Sequence, residues 1–444
     1  MNLIKWLYPG MKVKRWLVLG LAGLFLVVSG IVLLIGYKWP GISDFFETAS
    51  IFPGGLLPAG ILGLFTGIVL IWLGLSRAFL SVVEPLDSGD RVVDMVFNRR
   101  QLQRGPKIVV IGGGTGLSTL LRGLKEYTSN LTAIVTVADD GGSSGRLRGD
   151  QGMLPPGDVR NCLVALADKE PFMEQLLQYR FPSGELAGHS MGNLLLAALN
   201  NISGSFDGAI KGLSRVLAVR GQVLPVTLED VSLCAEMEDG EIVCGESRIP
   251  GTGKRIKRVF LKPETCSPVD EALKAISCAD AVVLGPGSLY TSVLPNLLVK
   301  GMPGALAKSN AVKIYVCNVM TQPGETTGYT VSEHIKAIID HAGPVVDWTL
   351  VNQEVIQGRP LTRYKKEGAA PVKIDEDEIA KLNVRLQKGD LLQEGDMVRH
   401  HPDRLARHIM HLVMLHRDND ERVIPLDVYG GRSRTEDKRV VTGP

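Results

Sequence analysis

Two stretches near the start of the chain are apolar without interruption. Trp16 to Tyr37 and Leu56 to Leu75 carry no charged residue over lengths that span a bilayer, and each predicts a transmembrane helix. Beyond about residue 105 the pattern changes to short apolar runs that end in glycine or polar residues and lead into helical patterns. Ile108, Val109, Val110 and Ile111 form the first run, as in a parallel strand covered on both faces. Leu131–Ala138, Ala279–Leu284, Val312–Cys317 and Val345–Val351 repeat the theme. Helices are expected from about Leu117 to Tyr127, after Pro155, over Leu194–Leu199, from Thr330 to Ala342 and from Pro402 to Leu415. Pro225 to Glu246 reads instead as strands with a turn at Asp239-Gly240. The alternation predicts an α/β fold: a Rossmann-like, mostly parallel sheet with an inserted β region, preceded by a two-helix transmembrane hairpin.

This divides the chain into an anchor over residues 1–76, a juxtamembrane linker over 77–105, a main domain over 106–428 and a polar, basic tail over 429–444 expected to be disordered. Lys5, Lys12, Lys14 and Arg15 precede the first span, and Arg77, Arg91, Arg99, Arg100 and Arg104 follow the second. By the positive-inside rule both termini and the large domain face the cytoplasm from the inner or plasma membrane. The first apolar run is too long for a signal peptide, and no small-x-small cleavage site comes after it. Neither span contains an ionisable residue, which favours an anchor over a transport pathway. The linker arginines are placed to touch anionic headgroups.

Composition narrows the function classes. A net charge of +2 over 444 residues, with no basic stretch interleaved with aromatics, gives no reason to expect nucleic acid. Cys162, Cys234, Cys244, Cys266, Cys278 and Cys317 are scattered without a C-x-x-C, so reduced structural thiols are expected and neither a zinc site nor a disulfide framework.

Candidate chemistry gathers where strands end. After the first strand, Gly112, Gly113, Gly114, Thr115 and Gly116 let the backbone turn tightly and approach a ligand, and the next helix aims its positive end at an anion. The spacing is G-x-G-x-G, and no Gly-Lys-Ser/Thr comes after it, so neither a standard NAD fingerprint nor a Walker loop is present. A phosphate-bearing ligand is the functional reading; a tight turn is the bland one. Next comes Asp139-Asp-Gly-Gly-Ser-Ser-Gly-Arg146. Its N–H groups with Ser143 and Ser144 suit a phosphate with Arg146 and Arg148 as counter-charges, while Asp139 and Asp140 suit a ribose hydroxyl or magnesium, Asp140 being the first choice of ligand. A solvated turn with an Asp cap is the alternative. In Pro155-Pro-Gly-Asp-Val-Arg-Asn161, Asp158 reads as a helix N-cap, and Arg160 and Asn161 face either the ligand or the fold. In Gly188-His-Ser-Met-Gly-Asn193, Ser190 caps a helix and Asn193 must find a buried partner. His189 is an acid/base candidate or, more commonly, a hydrogen-bonding strut. Gly285-Pro-Gly-Ser-Leu-Tyr-Thr291 offers a second cradle through Gly285 and Gly287, with hydroxyls from Ser288 and Thr291, and Asn318 ends a further strand. His334, His341, His408 and His411 are read as surface or packing residues. Five segments thus place ligand-capable groups just past carboxyl ends of strands, where open parallel sheets bind ligands.

These motifs, Gly112–Gly116, Ala138–Gly145, Pro155–Asn161, His189–Asn193, Gly285–Thr291 and Asn318–Gln322, resemble those of the YvcK-type gluconeogenesis factors. Those factors belong to the wider family of CofD, the 2-phospho-lactate transferase of deazaflavin coenzyme biosynthesis. The resemblance spans about residues 107 to 420 and leaves the two spans outside. It implies a Rossmann-like domain that binds a UDP-sugar, UDP-N-acetylglucosamine first, and a regulatory role in cell-wall precursor supply and cell shape during growth on gluconeogenic carbon. Enzymes of precursor supply are the partners it suggests, and a homo-oligomer is left open. Where the transferase branch carries a Pro-Asp-x-Asp-Thr type of segment, this chain has Asp158 and Arg160, which favours holding a diphosphate over metal-assisted transfer. The rival is a magnesium-dependent phosphoryl or nucleotidyl transferase using Asp139, Asp140 and Asp158. A membrane scaffold for wall enzymes is a third reading, resting on the anchor alone.

Overall fold

The computed structural model describes residues 14–37, 56–83, 100–168, 171–393, 395 and 397–417. The expected loop between the spans, most of the linker and the tail lie outside the described residues. The chain forms two compact units, Met1–Arg100 and Gln101–Pro444.

In the first unit, helices α1 (Lys14–Tyr37) and α2 (Leu56–Val83) pack against one another along glycines. A Cβ on Gly23 would lie 2.7 Å from the carbonyl oxygen of Gly67, and one on Gly67 would lie 2.7 Å from that of Gly23. Backbones this close are the small-residue packing of helices in lipid. The outward faces are apolar: Phe25, Phe65 and Trp72 are each about two-thirds exposed or more. Arg15–Ile35 and Leu57–Arg77, 21 residues each, are long and apolar enough to cross a membrane.

The second unit is built on β1 (Ile108–Gly112), β2 (Leu131–Val135), β3 (Gln222–Pro225), an insert of β4 (Ser232–Met237), β5 (Ile242–Cys244) and β6 (Ile256–Lys262), then β7 (Ala281–Leu284), β8 (Val312–Val316), β9 (Trp348–Asn352) and β10 (Arg385–Gly389). A short hairpin of β11 (Leu392–Gln393) and β12 (Arg399–His400) comes last. The main sheet has seven strands in the order β10-β9-β8-β7-β1-β2-β3, all pairs parallel. In register, Val110 sits between Ala133 and Val283. Every residue of β1, β2 and β7 is buried, the cause of their unbroken apolar runs. The insert is an antiparallel sheet ordered β5-β4-β6, with the expected turn at Asp239-Gly240.

Six helices matter for the site: α3 (Gly114–Leu124), α4 (Gly142–Gln151), α5 (Gly157–Leu166), α6 (Met191–Ser203), α7 (Val331–Ala342) and α8 (Pro402–Arg417). Local chemistry explains their starts. Ser190 caps α6 by accepting the Asn193 N–H, as expected, and Thr330 and Glu333 form a capping box on α7. Three expectations change. The glycine/serine stretch after Asp140 is not a loop: α4 starts at Gly142 and draws Ser143 and Ser144 into a buried first turn. Asp158 is not an N-cap, since Pro156 holds that position and no side chain caps the helix. Cys234 and Cys244 stand opposite each other on β4 and β5 and are disulfide-bonded, a pairing set by hairpin register that no cysteine spacing announces. The two histidines of α7 are packing residues: His334 is buried, and His341 accepts the Val259 N–H at 3.0 Å, tying α7 to the insert, whereas His411 on α8 is exposed.

Candidate functional site

The chain runs from β1 outward to β3 on one side, then returns through the insert to β7 on the other. That reversal opens a crevice between the carboxyl ends of β1 and β7, the place where parallel sheets bind ligands. Both strands end there in glycine loops, and the two loops touch backbone to backbone. A Cβ on Gly116 would lie 2.5 Å from the Pro286 carbonyl oxygen, and one on Gly287 would lie 3.2 Å from that of Gly113. Only glycine at 116 permits that approach. α3 begins at Gly114; its N-cap residue Gly113 offers no side chain, Asp158 takes the Gly114 N–H, and Thr115 and Gly116 behind it line the crevice. The cavity above has a volume of about 540 Å³.

Gly113, Gly114, Thr115, Gly116, Asp139, Asp158, Gly287, Ser288 and Asn318 line this cavity. Ser288 and Asn318 are linked through Gln322, whose amide donates to the Ser288 hydroxyl at 2.7 Å and accepts from Asn318 at 3.4 Å. Asp158 is half-buried and hydrogen-bonds the Gly114 N–H; burial outweighs that bond and, with the Asp139 charge, pushes its carboxyl up to about 6. Asp139 accepts the Gly141 N–H at 2.9 Å.

The other expected residues lie outside the cavity lining. Asp140 turns toward the insert and accepts the Ser247 N–H at 2.9 Å. Ser143, Ser144, Arg160, His189 and Asn193 form a buried polar cluster where α4, α5 and α6 meet. Asn193 donates to the Ser143 hydroxyl, which pairs with His189 Nδ1, both at 3.0 Å. Ser144 accepts the Gly157 N–H at 3.1 Å. Arg160 donates to the Ser190 hydroxyl, to Asn193 at 3.0 Å and to Asn161 at 2.7 Å. His189 thus behaves as a strut, and burial pushes its pKa down. Arg146 donates to the Ala187 carbonyl at 2.7 Å, and Arg148 pairs with Asp230. Thr291 is buried and donates to Glu325 at 3.2 Å. Gly285 lies behind the second loop and packs near the Val316 carbonyl.

Sequence reasoning missed several lining residues. Glu246, carried by the turn after β5, reaches Asp139; burial, then the Asp139 and Asp158 charges, push its carboxyl up to about 8. Tyr364 lies beyond β9, and Arg399 and His400 come from β12. Arg399 is the one Lys or Arg among the lining residues. His400 Nε2 is buried without a partner, and burial pushes its pKa down to about 4, so it stands as a neutral imidazole. The only hint of Glu246 in the sequence is the Cys244-Gly-Glu-Ser turn; nothing marks β12.

Among the described residues no three His, Cys, Asp or Glu side chains converge as a metal site. A magnesium ion here would take most of its coordination from ligand phosphate oxygens and water.

The profile of the family described as 2-phospho-L-lactate transferase CofD matches residues 108–392. A putative gluconeogenesis factor of Nostoc is 46% identical over 419 residues, 91% of each chain. The chain belongs to this CofD family, among its gluconeogenesis factors. The gluconeogenesis factor of Bacillus subtilis is 50% identical over 311 residues, 69% of this chain and 98% of that one. A crystal structure of a Bacillus halodurans protein superposes with a TM-score of 0.68 at 53% identity, covering 69% of this chain and all of the other. Residues 393–417, which include β12, lie past the matched family profile yet supply Arg399 and His400 to the cavity.

Proposed function

We propose that this gluconeogenesis factor is a membrane-anchored regulator that binds a UDP-sugar, UDP-N-acetylglucosamine first, and so serves cell-wall precursor supply and cell shape. The observation that carries it is the contact of two glycine loops at the switch point, with the first turn of α3 and Arg399 both lining the cavity there. Backbone donors and one guanidinium suit a diphosphate. Asp139 and Asp158 suit sugar or ribose hydroxyls, which hydrogen-bond acids without adding charge. Anchoring is supported by the outward apolar faces of α1 and α2, which in water would expose far more apolar surface than soluble proteins tolerate. The charge asymmetry around the spans supports a cytoplasmic side for both termini and the large unit. Enzymes of wall-precursor supply are the proposed partners.

One observation favours the rival, magnesium-dependent transfer of a phosphoryl or nucleotidyl group: four acids, Asp139, Asp158, Glu246 and Glu367, border one cavity. Calorimetric titration of the full chain with UDP-N-acetylglucosamine, UDP, GDP and NAD, with and without magnesium, separates the two readings when each mixture is assayed for product. Binding of the UDP-sugar without turnover is expected. Magnesium-dependent product would replace the regulator with an enzyme, and no binding by folded protein would remove both.

A further inference from the structure

The Cys234–Cys244 bond is chemistry that the ligand reading does not use. It joins directly opposed residues of the β4–β5 hairpin, ten apart in sequence. Cys234 is buried and Cys244 half-buried. Cys162, Cys266 and Cys317 are buried thiols, and Cys278 is exposed.

The turn just after Cys244 connects this bond to the cavity. The Gly245 N–H donates to the Leu233 carbonyl at 2.8 Å, and the Ser247 N–H donates to Asp140 at 2.9 Å. Gly245 has φ +111°, and a Cβ there would lie 2.7 Å from an Asp140 carboxylate oxygen. Between them Glu246 enters the cavity beside Asp139. A covalent link therefore ends two residues from a side chain of the site, on a turn otherwise held by these hydrogen bonds.

We propose that Cys234 and Cys244 are a reversible thiol–disulfide modification site whose state sets how firmly Glu246 is held in the cavity, and with it ligand affinity. The affinity arm rests on the UDP-sugar reading, and the reversibility on the cytoplasmic placement, where protein disulfides are usually transient and redox-sensing. The oxidant is a low-molecular-weight disulfide. The half-buried Cys244, as thiolate, attacks one of its sulfurs and releases one small thiolate. The Cys234 thiolate then displaces the second small thiolate from the mixed disulfide. One S–S bond breaks and one forms, two electrons pass from the protein to the small disulfide, and the two cysteine protons end on the two released thiols. Oxidised protein presents a pre-organised turn and binds more tightly.

The test uses the full chain in detergent with Cys278→Ser, equilibrated with oxidised or reduced glutathione. Alkylation and mass spectrometry report Cys234 and Cys244, hydrogen exchange reports residues 245–249, and calorimetry reports UDP-N-acetylglucosamine affinity. Reduction is expected to expose two alkylatable thiols, speed exchange of that turn and weaken affinity about fivefold or more, the lower range of coupling between sites. The Cys234→Ser/Cys244→Ser variant should match the reduced protein in both buffers. Full alkylation after oxidised glutathione, unchanged exchange of the turn, or equal affinity in the two states would each overturn the proposal. If no nucleotide sugar binds in either state, the UDP-sugar reading fails, and the exchange rates alone decide the modification site.

Discussion

Gly116→Ala tests whether the crevice is set by backbone contact between the two glycine loops. The new Cβ would stand 2.5 Å from the Pro286 carbonyl oxygen and 2.9 Å from its carbon. Real Cβ atoms do not approach below 3.0 Å, so the loops must part by about half an ångström. Neither obstacle is a side chain that can swing away. Overpacking of this kind costs about 1–3 kcal/mol. At about 2 °C per kcal/mol for a unit of this size, Tm falls by about 2–6 °C. Ligand binding suffers separately, because N–H donors on α3 and groups on the second loop no longer reach one diphosphate together. Losing one charged hydrogen bond costs about 1.5–3 kcal/mol, tenfold or more in affinity. Gly112→Ala is the control: its Cβ would find nothing nearer than a Leu117 methyl at 3.6 Å, an ordinary contact. Thermal melts and calorimetry on both variants give the answer. If Gly116→Ala matches wild type in Tm and affinity, the loops are not in contact and the reasoning fails.

Burial raises the Asp158 carboxyl from 3.8 to about 6, and an acid raised on folding contributes stability below about pH 4 that is lost as pH rises through about 6. Asp158→Asn should flatten that decline and raise Tm at pH 7.5; melts from pH 4 to 8 check it, and a lower Tm at pH 7.5 would refute it. Arg399→Gln should weaken UDP-N-acetylglucosamine about tenfold, leave uridine unaffected and leave Tm unchanged, since this exposed residue is the one Lys or Arg of the cavity wall. Equal losses for uridine would mean that Arg399 does not read phosphate. Thr330→Ala removes the hydroxyl half of the α7 capping box and should cost about 1 kcal/mol without changing ligand affinity. A melt unchanged within error would show that the cap is redundant.

The parts of the fold that come from one local pattern were legible. Ile108–Ile111 announced a strand buried on both faces, and Gly112–Gly116 a loop at its end, because both are consequences of nearest neighbours. Ser190 was readable as a cap for the same reason. The site was only half legible. Ser143, Arg160, His189 and Asn193 are the polar types a ligand needs, but they satisfy one another beneath the helices, and composition cannot tell a ligand contact from a buried strut. Asp140 and Asp139 are neighbours with opposite fates, one turned to the insert and one to the cavity. Glu246, Tyr364, Arg399 and His400 arrive from far along the chain, and only tertiary folding brings them to the glycine loops. The disulfide was hidden likewise, since hairpin register rather than spacing pairs its cysteines.

The interior position of β1, between β2 and β7, carries a consequence for how the protein is made. Ile108 pairs with Leu131 and with Ala281, so its two neighbours lie 131 − 108 = 23 and 281 − 108 = 173 residues away. The near pairing closes a short loop and forms early; the far one closes a long loop and must wait until β7 has left the ribosome. Until then one edge of β1, an entirely apolar strand, is without its partner, and the first glycine loop faces no second one. The cavity also lacks its Arg399 wall until almost the whole unit has been synthesised. A nascent chain therefore holds a half-built site for most of its synthesis. Ligand cannot template the first half of the fold and stabilises only the finished one.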